Sequence, residues 1–196
     1  MDFAFTIKPD PLGWNIWQVA LSPDETDTAE ALGMKRHRTS ELRGERPAYG
    51  CSPEAAPAIH RMGTCCEFAA AKALGLPMPT HLDTHGQPDL PPDIQIRGTS
   101  MAKGRVLRAF ERDKGEQRYV LVQRLTRAVY QLRGWCPAHF AKQKKYWGQA
   151  FDRPDSGDCW RVPEAILWSM ATFDWPGRIH IPSKFPTGLT ADDIQW

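Results

Sequence analysis

No apolar run in this chain approaches the ~20 residues needed to cross a bilayer, which excludes a membrane-spanning helix. The opening residues, Met1 to Phe5, lack the basic-then-apolar order of a secretory signal, so a cytoplasmic location is expected. There is no C-x-x-C pair, and the five cysteines are odd in number, with Cys65 and Cys66 adjacent. That argues against a disulfide framework. Structural zinc usually shows paired-ligand spacing, which the best scattered set here, Cys51, His60 and Cys65, does not have. Reduced, buried thiols are the better reading. A Gly-rich phosphate loop is missing, which removes the common NTPases. Helix-turn-helix, zinc-finger and RNA-recognition signatures are missing too, so base-specific reading of DNA has no support.

What is there is ordinary globular material. The 196 residues are 41% hydrophobic and 24% charged, enough for one domain with its own core. The net charge of +2 conceals an uneven distribution: residues 1–96 carry −5, residues 97–145 carry +10 and residues 146–196 carry −3. A basic stretch between acidic flanks points to a polyanion as partner, or else to a solvated sheet face and helix end.

Phe3-Phe5-Ile7 and Trp17-Val19-Leu21 alternate as short strands around a turn containing Pro9, Pro11 and Gly13. Ser22 and Glu25 form a capping box with Pro23 at the first helical position, which predicts a helix to about Arg38. The polar stretch 39–57 reads as loop. From Ala58 to Leu74 runs a second helix, stopped by Gly75. It is small and apolar nearly throughout, so Glu67 in its middle is the odd residue. Glu67 lies on a narrow exposed stripe, or is paired with Lys72 or an Arg, or does chemistry. Strands are predicted over 93–100, 105–110, 118–124 and 128–135, with hairpins at Asp113-Gly115 and Thr126-Arg127. Pro137 should open a basic helix over 138–147. The class is α+β, one domain with a mixed or antiparallel central sheet and flanking helices.

The segment from Asp89 to Arg97 is the most informative. Alternation on a strand puts Asp93, Gln95 and Arg97 on one face and Ile94 and Ile96 on the other, with Asp89 just before a Pro-Pro turn. If the second helix brings Glu67 to the same edge, two carboxylates and an amide oxygen suit Mg²⁺, a hard cation preferring oxygen. The bland alternative makes Asp89 a turn residue and Gln95 and Arg97 a solvated strand face.

In order along the chain stand Glu25, Ala29, Gly33, Arg36 or Arg38, then Gly63, Glu67, Ala69, Ala71, Lys72 and Leu74. Asp89, Gln95-Ile96-Arg97-Gly98-Thr99, Tyr119-Val120-Leu121-Val122, Gly134-Trp135 and Val162-Pro163-Glu164 follow. This series resembles the PD-(D/E)xK nuclease-like superfamily, and within it the small, mostly uncharacterised phage and prophage proteins. The resemblance covers about residues 22–170, leaving 1–21 as an N-terminal strand extension and 171–196 as an extended tail.

It implies an αβββα-type core and a Mg²⁺-dependent phosphodiesterase acting on DNA, with Glu67, Asp89, Gln95 and Arg97 as catalytic set. Asp89 and Gln95 would ligate the metal, Glu67 would reach it directly or through water, and Asp93 rivals Asp89. Two departures matter. Gln95 replaces an acidic ligand, and Arg97 stands where a lysine is usual and cannot act as a general base. A phosphate track is expected along Arg105, Arg124, Arg127 and Arg133, continuing through Lys142, Lys144 and Lys145. Tyr130, Trp135 and Trp147 are stacking candidates or core. The alternative is a non-catalytic phage protein that binds nucleic acid or a host factor on the same fold, the Trp-rich C-terminal region serving as contact surface if the partner is a protein.

Overall fold

The structure is a computed structural model, and it describes residues 5–9, 15–45, 52–82, 87–113, 115–150 and 157–174. Strands β1 (Phe5–Pro9) and β2 (Asn15–Ala20) form the expected antiparallel hairpin, with Phe5 opposite Val19. Pro11 and Gly13 of its turn lie outside the described residues, as do most of the C-terminal tail and Cys51.

Helix α1 (Pro23–Leu42) starts as its capping box dictates: the Ser22 hydroxyl accepts from the Glu25 N–H at 3.1 Å, and Glu25 accepts from the Ser22 N–H at 2.6 Å. It runs a turn past Arg38, because nothing in the polar residues 39–42 breaks a helix before Gly44, where φ is +66°. Helix α2 (Ala56–Leu74) ends at Gly75 in the left-handed region, with the Leu76 N–H bonded to the Ala71 carbonyl. The two helices touch backbone to backbone. A Cβ on Gly33 would fall 2.8 Å from both the Arg61 Cα and the His60 carbonyl oxygen, so only glycine fits this crossing. One turn further along α1, the close approach lets Arg36 reach across to α2.

After α2 come β3 (Ile94–Thr99), β4 (Val106–Ala109), β5 (Arg118–Arg124), β6 (Val129–Pro137) and the single turn α3 (Ala138–Ala141). Strands β7 (Trp147–Gln149) and β8 (Asp158–Pro163) complete the order. The main sheet runs β1-β2-β6-β5-β3, with β3 parallel to β5 and the other pairs antiparallel. β4, β8 and β7 make a second, antiparallel sheet. The α+β class therefore holds, with β4, which lies between β3 and β5 in the chain, placed in the second sheet and α3 a single turn. The N-terminal hairpin is built into the main sheet beside β6, and Trp17, Val19 and Leu21 belong to its core.

β5 is an interior strand between β6 and β3, and its inner residues are buried on both faces. Val120 and Val122 face Cys66, Phe68 and Ala69 of α2, while Tyr119 and Leu121 face Leu107 of β4 and Val162 of β8. Two sequence expectations differ. Thr126-Arg127 does close the β5–β6 hairpin, but Asp113-Gly115 closes none, because β4 and β5 belong to different sheets. Asp113 is instead buried. The basic helix over 138–147 stops at Ala141, because Gln143 is extended and Trp147 pairs with Trp160 as strand. Lys144 and Lys145 sit on a 3-10 turn. No helix among the described residues is long and apolar enough to cross a membrane.

Candidate metal and phosphate site

Glu67 is 8% exposed although it carries a charge in an apolar helix. Arg36 answers it: Nη1 donates to Oε1 at 2.8 Å and to Oε2 at 2.7 Å, and Nε donates to the His81 carbonyl at 2.9 Å. Of the two partners foreseen, the arginine holds; Lys72 binds Glu25 at 2.6 Å instead.

Asp89 lies at the free edge of β3. Paired N–H···O bonds between Leu90 and Ile94 pin the loop that carries it. Its Oδ2 accepts the Ile96 N–H at 2.8 Å, and its own N–H donates to Gln95 Oε1 at 3.3 Å. Asp89 and Gln95 are therefore neighbours, whereas the strand pattern had put Asp93 on the face of Gln95 and Arg97. Arg97 Nη1 stands 3.9 Å from Asp89 Oδ2. Most of its guanidinium is used elsewhere: Nε donates to the Arg108 carbonyl at 2.7 Å and Nη2 meets Asp113 Oδ2 at 2.5 Å. The Phe110 and Tyr119 rings flank it, each 5.4 Å from Cζ. Asp113 Oδ2 also accepts the Phe110 N–H at 2.8 Å and the Tyr119 hydroxyl at 3.2 Å.

Asp93 is not part of this group. Arg118 holds it bidentately, Nη2 on Oδ1 at 2.6 Å and Nε on Oδ2 at 2.9 Å, which leaves Asp89 as the aspartate beside Gln95.

The line Arg36, Glu67, Asp89, Arg97, Asp113 has three acids and two cations. Its effect on protonation is plain. Burial, reinforced by the charge of Asp89, pushes the Glu67 carboxyl up to about 8 against the pull of Arg36. Burial raises Asp89 as well, although Arg97 and the Ile96 N–H oppose it. Each raises the other's affinity for a proton, so both carboxyls titrate above their ordinary range. Because the folded protein binds these protons more tightly than the unfolded chain, stability falls as pH rises toward 8. His60 acts with the opposite sign, its burial lowering it from 6.5, so it matters only on the acid side. Between pH 6.5 and 8, urea unfolding should show a falling stability in the wild type and a flatter profile in Glu67→Gln.

The donors here are all oxygens, the kind a hard divalent cation takes. Burial disfavours the charged form of both carboxyls, Gln95 Oε1 accepts the Asp89 N–H, and Asp89 Oδ1 accepts no hydrogen bond among the described residues. Both Glu67 oxygens would have to share Arg36 with the ion. Among the described residues, no group of three or more His, Cys, Asp or Glu could hold a metal ion, so Gln95 would have to serve as a ligand.

The expected phosphate track is largely neutralised from within. Arg105 and Arg133 both bind Glu164, Arg127 binds Asp27 at 2.7 Å and Glu30 at 3.0 Å, and Arg124 donates to the Thr126 carbonyl. Lys142 is tied to the Asp113 carbonyl. The acidic flanks fold back onto the basic stretch. Lys144 and Lys145 remain exposed and outside ion pairs among the described residues. Tyr130 is core; Trp135 packs edge-on against Trp168 and Phe173.

Sequence reasoning missed Asp113 and offered Arg36 only beside Arg38, which is exposed. Gly33, three residues before Arg36, was the available signal that this face of α1 meets another helix. Compared with protein-family models, with curated proteins and with solved structures, the chain gives no match. The reading of the site rests on its own chemistry.

Proposed function

We propose that this chain hydrolyses phosphodiester bonds in nucleic acid, DNA first, as a Mg²⁺-dependent enzyme of the phage or prophage nuclease-like type acting in the cytoplasm. One observation supports the reading: Glu67, buried in α2, and the part-buried Asp89 before β3 are near enough for the charge of Asp89 to raise the Glu67 carboxyl, and Gln95 Oε1 accepts the Asp89 N–H. When bound, Mg²⁺ supplies Lewis acidity at a phosphoryl oxygen and a more acidic water. Asp89 and Gln95 would hold the ion from the edge of β3, with Glu67 contributing from α2. Arg36 fixes the Glu67 carboxylate. Arg97 stays protonated and, clamped by Asp113, keeps a positive charge next to Asp89 where a phosphate would lie.

A second reading is favoured by the same ion pairs. Arg36 already satisfies both Glu67 oxygens and Asp113 occupies Arg97, as in a site kept for architecture while the protein binds nucleic acid or a host factor without cutting. Incubation of single- and double-stranded DNA with the protein and Mg²⁺ or Mn²⁺ separates the two. Cleavage is expected, and Asp89→Asn should reduce it about a hundredfold or more. If DNA stays intact with every metal, or Asp89→Asn cuts normally, the catalytic reading is wrong. Salt-sensitive binding that persists in EDTA would then favour the second.

A further inference from the structure

The second sheet presents an aromatic and basic face that the metal site does not use. Trp147 begins its edge strand β7 and is 42% exposed, although it is among the largest apolar side chains. One side of the indole is anchored against Trp160, with centroids 4.5 Å apart at 67°, so the ring is fixed while part of it faces solvent. Lys144 and Lys145, on the turn just before it, are exposed. Lys145 Nζ lies 4.9 Å from the neighbouring Tyr146 ring, and Lys142 Nζ lies 5.6 Å from the Trp160 ring. This cluster differs from the rest of the basic stretch. Arg105, Arg118, Arg127 and Arg133 are each held by a carboxylate, whereas Lys144 and Lys145 make no ion pair among the described residues. The face ends at Gln149, opposite the exposed Asp158.

We propose that this face binds single-stranded nucleic acid, one base stacking on Trp147 while Lys144 and Lys145 hold the adjoining phosphates. A fixed, half-open indole has a use for an unpaired base, whose π-face is free, and little for a duplex, whose bases are already stacked. The two lysines supply the charge complement without first breaking an internal pair. The proposal rests on the nucleic-acid part of the proposed function and is independent of catalysis.

The test is fluorescence anisotropy in EDTA at low salt, comparing labelled oligo-dT of about 12 nucleotides with a blunt duplex of equal length. Wild type should prefer the single strand. Trp147→Ala should weaken that binding about tenfold or more while leaving duplex affinity and the melting temperature near wild type. Trp147→Phe should retain most of the affinity. Lys144→Ala with Lys145→Ala should reduce the salt slope by about 1.4. Duplex preference in wild type, unchanged single-strand affinity in Trp147→Ala, or equal losses in the Ala and Phe variants at wild-type melting temperature would overturn the proposal. Failure here with metal-dependent cleavage intact removes this site alone. Single-strand binding without cleavage removes only the catalytic reading.

Discussion

Arg36→Met is expected to lower the unfolding free energy by about 3–5 kcal/mol, because it leaves a buried carboxylate without its counter-charge. Arg36 Nη1 is the hydrogen-bond donor to both Glu67 oxygens, and the next charge, Asp89, is of the same sign. Protonation offers Glu67 an escape, so the loss should be smaller at pH 6 than at pH 8, the side on which the carboxyl must ionise. Adding Glu67→Leu to Arg36→Met should recover most of the stability, since an apolar pair in place of a buried ion pair is often neutral or better. Urea denaturation of the two single variants and the double variant at both pH values closes the cycle. A loss under about 1 kcal/mol at pH 8 would mean that Glu67 is solvated, as a surface pair would be.

Asp113→Ala should be comparably damaging, about 3–5 kcal/mol, for a different reason. One carboxylate oxygen accepts from Arg97, from the Phe110 N–H and from the Tyr119 hydroxyl, and all three donors lose it together. Asp113→Asn keeps an acceptor but loses the charge, so a smaller loss of about 1–3 kcal/mol is expected. The freed Arg97 would also lose what holds its charge next to Asp89. Thermal and urea unfolding measure both variants. A cost of Asp113→Ala within about 0.5 kcal/mol of zero, as for an ordinary surface residue, would show that Arg97 is not clamped.

The contrast between Glu67 and Asp113 shows how much the chain disclosed in advance. Glu67 stood out because its neighbours are small and apolar, a pattern local to one helix. Asp113 sits among Glu111, Arg112, Lys114 and Gly115, a stretch that reads as an exposed hairpin tip. Its burial follows from β4 leaving for the second sheet while β5 returns parallel to β3, a long-range choice that no local pattern encodes. The same divide runs through the elements. The capping box of α1, the Gly75 stop of α2 and the β5–β6 hairpin are written in adjacent residues and could be read directly.

Charge was legible as a quantity but not as a pattern in space. The +10 stretch is real, yet ion pairs join residues far apart in sequence: Arg127 with Asp27 and Glu30, Arg105 and Arg133 with Glu164. Folding therefore uses up much of the charge that suggested a continuous phosphate track. What it leaves exposed on the second sheet is Lys144 and Lys145 beside Trp147, a smaller surface than the sequence implied.

The central proposal is that Glu67 and Asp89, whose carboxyls are both raised, take up a divalent cation. Unfolding free energy measured between pH 6.5 and 8, with and without Mg²⁺, tests it most directly. Without metal, stability should fall as pH rises. At about 100 times its Kd, Mg²⁺ should add about 2.7 kcal/mol, with the gain greatest near pH 8, where it competes least with protons. Asp89→Asn should lose that gain. A pH profile that Mg²⁺ leaves unchanged, or a gain that survives Asp89→Asn, would contradict the account.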